Sequence, residues 1–471
     1  MAYLIVILLY SVGQIGLGLW ISRRVTGSSD FFVAGRRLGP GLLFATFLAA
    51  NIGGGSTIGA TGLGYRDGLA AWWWVGSAGV GSIVLALWIG PRIRALSAQH
   101  DLRTLGDFLE WRYDTRVRAV VAALLWVGTV AILAGQLIGI AWILTVVIGT
   151  PKIVGCVIGA VVVTAYFGAG GLLSSAVVNV VQLTVKVVGF VIALPLVLAA
   201  VGGFGGLRHS IADPAMWNPW QHGASGWVYL AMLAPNFMVS PGLLQKAYGA
   251  RDDRTVRIGV GLNGAGLLVY ALMPTLLGMA ARVLHPGLDN RELALPMIFM
   301  HDVPFWAGAL GLAAVFSAEV SAADAVLFML ATSLSQDLYK RYIRRDATDR
   351  QVLFVARTAS VVGGVLAVMV AFVSKTIVDA LSIFYTMIAV SLFVPVVAGL
   401  YLRRPRATDA LAAVAGGVIV VAVLQFGRGG EPIGVFTPAM CGLLAAACAF
   451  AIAAASGHTA KGRGQNDAEP V

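Results

Sequence analysis

Apolar runs of membrane length recur along this chain of 471 residues, and they restrict its fold more than any other feature. A helix needs roughly 17–25 apolar residues to cross a bilayer. Thirteen stretches meet that ruler: 2–21, 41–64, 70–91, 119–146, 153–168, 174–202, 226–245, 258–283, 304–335, 353–374, 379–401, 408–426 and 437–456. Hydrocarbon offers no partner to an open backbone, so such segments cross as helices. A composition of 58% apolar against 12% charged residues excludes a soluble domain. The chain therefore reads as an all-α polytopic membrane protein with about thirteen spans, embedded in a lipid bilayer.

The formal charge of +11 sits in short loops between these runs and forms no basic face, which argues against a nucleic-acid partner. Its distribution instead sets an orientation. Arg23, Arg24, Arg36 and Arg37 follow the first span, and Arg92, Arg94, Arg103, Arg112, Arg116 and Arg118 follow the third. Lys246, Arg251, Arg254 and Arg257 follow the seventh, and Lys340, Arg341, Arg344, Arg345, Arg350 and Arg357 the ninth. The excess of cations on cytoplasmic loops puts these on the inside, with the N-terminus out and the C-terminus in. The start MAYLIVILLY lacks a basic n-region and is expected to stay as the first span. Trp72, Trp73 and Trp74 read as an interfacial belt. The tail from 457 to 471 reads as disordered. Cys156, Cys441 and Cys448 lie in apolar runs without ligand spacing, and the six histidines are scattered. With no Ser/His/Asp order, phosphate loop or metal cluster, nothing supports an enzyme.

Two carboxylates break the apolar pattern of the ninth span, AEVSAADAVLFMLATSLSQD: Glu319 and Asp324. Each costs roughly 2.5–3.5 kcal/mol at a bilayer centre and needs a partner or a watery cavity. The second span carries Gly53, Gly54 and Gly55 in succession, poor helix formers that would free carbonyls at a break or else permit close packing. Five spans later LAPNFMVSPGLLQ places Pro235 and Pro241, a second candidate break. Interrupted spans at corresponding places in two halves point to an inverted-repeat transporter with a midplane site. The halves are 41–202 (spans 2–6) and 203–401 (spans 7–11), preceded by 1–40 and followed by two appended helices over 402–456. On the sixth span Ser175, Asn179, Gln182 and Lys186 form a polar stripe that faces protein or water.

The pieces FFVAGRRLGPG (31–41), LAANIGGGSTIG (48–59), TLGDFLEWRYDTRVR (104–118), GAGGLLSSAVVNVVQ (168–182), SPGLLQKAYGARD (240–252), SAADAVLFMLATSLSQDLYKR (321–341) and LYLRRP (400–405) occur in an order that resembles the sodium:solute symporter family. The resemblance implies a leucine-transporter-type fold with a five-plus-five inverted repeat and sodium-driven solute uptake by alternating access, in a bacterial cytoplasmic membrane. It implies a sodium site on the carbonyls of Ala49, Ile52 and Ala318 and the hydroxyl of Ser321. Two departures stand out: Ala322 lacks the family's second hydroxyl, and Asn179 stands where many members carry Asp. Asp324, one turn from Ser321, would restore an anionic oxygen or else hydrogen-bond to Asn179. Lys186 would act as a built-in charge that carries a proton in place of an ion, or pair with Glu319, or reach a watery vestibule. Glu319 lies on another face of its helix. Solute contacts are expected from Asn51, Ser56, Gln136, Asn236, Phe237 and Ser240. The expected function is sodium-coupled symport of a small polar organic solute such as a sugar, amino acid, carboxylate or vitamin. The alternatives are a proton-coupled or sodium-independent carrier and a membrane solute sensor.

Overall fold

The computed structural model describes residues 2–22, 36–167, 172–220 and 226–465, and these are helical almost throughout. Extended pairing is limited, among the described residues, to two isolated bridges, Leu38 with Ala250 and Ile433 with Phe436. Among the described residues ten helices are long and apolar enough to cross a membrane, and three shorter apolar ones cover Ala2–Gln14, Pro40–Asn51 and Lys152–Ala165.

Capping chemistry sets many of the boundaries. After α1 (Ala2–Ser22), α2 (Pro40–Asn51) starts with Pro at its first turn. The chain leaves the helix at Ile52, then resumes through a wide π turn, Gly55–Gly59, into α3 (Ala60–Asp67). α4 (Trp72–Val84) runs through a second π turn into α5 (Gly90–Gln99). Thr104 and Asp107 cap α6 (Leu105–Arg112) reciprocally. Asp114 caps α7 (Thr115–Ile148), which Gly149 ends in the left-handed region at φ 71°. α8 (Lys152–Phe167), α9 (Leu172–Ala200) and the short α10 (Gly203–Ser210) follow.

A second interruption comes later in the chain. α11 (Gly226–Val239) keeps Pro235 inside it, and the break falls at Ser240, before Pro241 opens α12 (Pro241–Tyr248). The expected seventh span, 226–245, is thus two helices, and Lys246 belongs to the second and not to a cytoplasmic loop. α13 (Asp253–Tyr270), α14 (Leu272–Leu284) and α15 (Ala294–His301) lead to α16 (Phe305–Thr332), which widens into a π turn over Ser333–Ile343. α17 (Asp349–Val373), α18 (Ile377–Ile388), α19 (Val394–Tyr401), α20 (Ala407–Gly427) and α21 (Pro438–Gln465) follow. The last helix passes Ser456 into the segment expected to be a disordered tail; residues 466–471 lie outside the described residues.

The helices pack as two groups. One joins α2 and α3 with α4, α11, α13 and α14; the other joins α7, α8, α16 and α17. Within the first group α3 crosses α14 at Gly64 and Gly278. A Cβ at Gly278 would lie 2.1 Å from the Thr61 carbonyl, so only glycine admits this approach. At one end the two interrupted segments are clasped to each other, Leu38 N donating to Gly249 O and Arg251 N to Leu38 O.

Candidate solute and cation site

The break after α2 leaves helix-end carbonyls without intrahelical donors. Side chains supply them. The Ser56 hydroxyl lies 2.8 Å from Asn51 O and accepts from Gly53 N, while Gly54 N donates to Gln136 Oε1 at 2.8 Å. Trp74 Nε1 donates to Gly55 O at 2.7 Å. Trp74 is buried and edge-on to Tyr229 and Tyr385, so this member of the expected interfacial belt is an interior wall instead.

Three of the expected sodium ligands, Ala49, Ile52 and Ser321, lie together, and Lys186 donates to two of them. Lys186 Nζ, from α9, donates to Ala49 O at 2.6 Å and Ile52 O at 3.0 Å, and its side chain is fully buried. Ser321 Oγ lies 3.1 Å from Ala49 O and 3.0 Å from Asn179 Oδ1. Asn179 Nδ2 in turn donates to Thr46 Oγ1. Ala318 is buried on the same helix as Ser321. A helix C-terminus carries partial negative charge, and a side-chain amine donor placed there is matched to it. Ser175, the outer member of the expected stripe, has its side chain outside the described residues.

Both acids of α16 are buried, and they serve different neighbours. Glu319 Oε1 accepts from Thr57 Oγ1 at 3.2 Å, and Oε2 has no hydrogen-bond partner among the described residues. It acts on Lys186 through its field and forms no direct ion pair with it. Asp324 acts electrostatically on Lys246. Lys246 itself is buried and donates to Thr46 O at 2.9 Å, so one lysine reaches the body of α2 and the other its end. Sequence reasoning missed Lys246 because it counted the residue with the loop cations. Its signal was the preceding Pro-Gly-Leu-Leu-Gln run, which extends the apolar helix past the break.

Between the two helix groups lies a chamber whose space, counted together with the part open to solvent, is about 820 Å³. Asn51, Ser56, Gln136, Phe237 and Ser240 line it as expected, together with Trp74, Phe384, Tyr385 and Lys246. Asn236 does not line it. That side chain turns back on its own helix to Met232 O, beside Pro235. Ala322 also faces the chamber, packed so closely on the break that a Cβ at Gly53 would come within 2.4 Å of its own. No group of three His, Cys, Asp or Glu able to hold a metal occurs among the described residues.

The model of the sodium:solute symporter family matches residues 31–417. The sodium/pantothenate symporter of Escherichia coli (strain K12) is 28% identical over 438 residues, covering 88% of this chain and 89% of that protein. The sodium/glucose cotransporter of Vibrio parahaemolyticus is 24% identical, covering 78% of this chain and 74% of its own. Among solved structures, a Na+-coupled sialic acid symporter in a substrate-bound outward-open state superposes with a TM-score of 0.82 at 17% identity. That match covers 96% of this chain and 97% of the other.

Proposed function

The chain belongs to the sodium:solute symporter family, and from that premise we propose that it moves a small polar organic solute inward through the chamber between its two helix groups. It is a multi-pass membrane transporter of the leucine-transporter fold and not an enzyme. The observation that carries the proposal is the position of the chamber. It touches both interrupted segments, α2–α3 and α11–α12, so an ordered solute at Asn51, Ser56, Gln136, Phe237 and Ser240 contacts parts of both repeats at once. Rocking of the α2–α4 and α11–α14 group against the α7, α8, α16 and α17 group then alternates access. Solute binding biases that equilibrium by its differential contacts. The halves 41–202 and 203–401 are the inverted repeats, and the inner membrane of a bacterium is the setting, with the N-terminus outside.

A sodium gradient is the drive that the family supplies, and Ala49, Ile52, Ala318 and Ser321 are the oxygens that would hold the ion, with Asp324 nearby. A second reading of the drive is favoured by a specific observation: the Lys186 ammonium lies on two of those oxygens. A positive charge supplied by the chain would replace the sodium there, and coupling would then pass to protons or be absent. Uptake into proteoliposomes, with sodium and proton gradients imposed separately, tests both readings. Accumulation that needs sodium supports the first. Accumulation unchanged without sodium and driven by inside-alkaline pH supports the second, and no accumulation of any solute under either gradient removes the transport reading.

A further inference from the structure

We infer that Lys246 makes the chamber selective for solutes bearing a carboxylate, an inference that rests on the reading of this chamber as the solute site. Lys246 is the one charged group among the described residues that line it. The remaining polar lining, Asn51, Ser56, Gln136 and Ser240, is neutral. The acid that acts on Lys246, Asp324, is not part of the lining, so a solute in the chamber meets the ammonium directly and not the carboxylate.

The geometry leaves the ammonium able to bind. An ammonium has three N–H donors, and Lys246 spends one on Thr46 O at 2.9 Å, its single hydrogen bond among the described residues. The side chain is 3% exposed, so its charge is screened little by water. A buried cation with two unspent donors is matched by an anionic oxygen pair; charge-assisted hydrogen bonds of this kind are roughly twice as strong as neutral ones. The aromatic wall of Trp74, Phe237 and Tyr385 would suit the uncharged body of such a solute or, alone, a quaternary ammonium. Lys246 decides between them, because a second cation in the chamber is repelled. A bound carboxylate would also be linked to the cation site through α2, whose Thr46 carbonyl holds Lys246 and whose Thr46 hydroxyl holds Asn179.

Binding to the purified full-length protein, read as thermal stabilisation, tests this without requiring transport. The probes are pantothenate, lactate, proline and gluconate, each against its own amide, with glucose and choline as neutral and cationic controls. At least one carboxylate is expected to bind, its amide to bind about 10–100-fold more weakly, and Lys246→Gln to abolish that difference while Lys246→Arg keeps it. Monodisperse elution of Lys246→Gln establishes that it is folded. Equal binding of acid and amide, a preference for glucose or choline, an unchanged acid preference in Lys246→Gln, or no carboxylate binding at all overturns the inference. Uptake of solutes without carboxylate preference sinks it and leaves the transport reading standing. Carboxylate binding that never leads to uptake does the reverse.

Discussion

Replacing Lys186 by methionine tests which cation belongs at the end of α2. The ammonium is 2.6 Å from Ala49 O and 3.0 Å from Ile52 O, so a sodium ion ligated by those same oxygens could sit no farther than about 5 Å from Nζ. Two unit charges at that separation repel by at least about 3 kcal/mol at an effective dielectric of 20, a few hundredfold in affinity. Sodium and the ammonium therefore exclude each other. Lys186→Met keeps the apolar stem and removes the charge, leaving two buried carbonyls without that donor at a cost of about 1–3 kcal/mol each. The variant is expected to melt below the wild type in potassium chloride and to recover in sodium chloride. The recovery should reach about 2.7 kcal/mol at a sodium concentration one hundred times the dissociation constant. Adding Ser321→Ala removes the fourth expected ligand and should weaken that recovery, while the wild type should show no sodium response at this site. A wild type stabilised by sodium as strongly as Lys186→Met, through a response that Ser321→Ala abolishes, would refute the reasoning.

Three further outcomes are expected. Glu292, in the segment between α14 and α15, accepts from Trp142 Nε1 and from Ile377 N at the start of α18, and burial pushes its carboxyl up to about 7. A raised carboxyl stabilises the fold fully below about pH 4.5 and loses that contribution as pH rises to about 7; melting temperature should fall from pH 5 to 8 by the equivalent of about 2 kcal/mol, and Glu292→Gln should flatten the profile. Gly53→Ala would push a methyl group to 2.4 Å from the Ala322 Cβ and 2.8 Å from Gln136 Oε1, so it should cost about 1–3 kcal/mol and reduce uptake, with Ala322→Gly restoring part of both. Ala322→Ser adds a hydroxyl to the wall of the break; in the Lys186→Met background it should lower the sodium concentration giving half-maximal stabilisation, and an unchanged midpoint would show that position 322 does not face the ion.

The sequence by itself determined the membrane class, the helical architecture and the two interrupted segments, because bilayer length, Gly runs and Pro are properties of local chain. It also brought Ala49, Ile52, Asn179, Lys186 and Ser321 under suspicion, through helical periodicity and family likeness. It could not decide what those residues hold. A spacing on α9 says which side chains share a face, while the contact of Lys186 with carbonyls 137 and 134 residues away depends on how α9 and α16 pack on α2. The same limit explains Lys246 and Asn236. A lysine after an apolar run reads as a loop cation, and an asparagine beside a proline reads as a free polar group. Tertiary packing buried the first against α2, where its amine donates to Thr46 O, while the second turned back on its own backbone to Met232 O, because most buried donors find a partner and only the packing of the helices decides which is within reach.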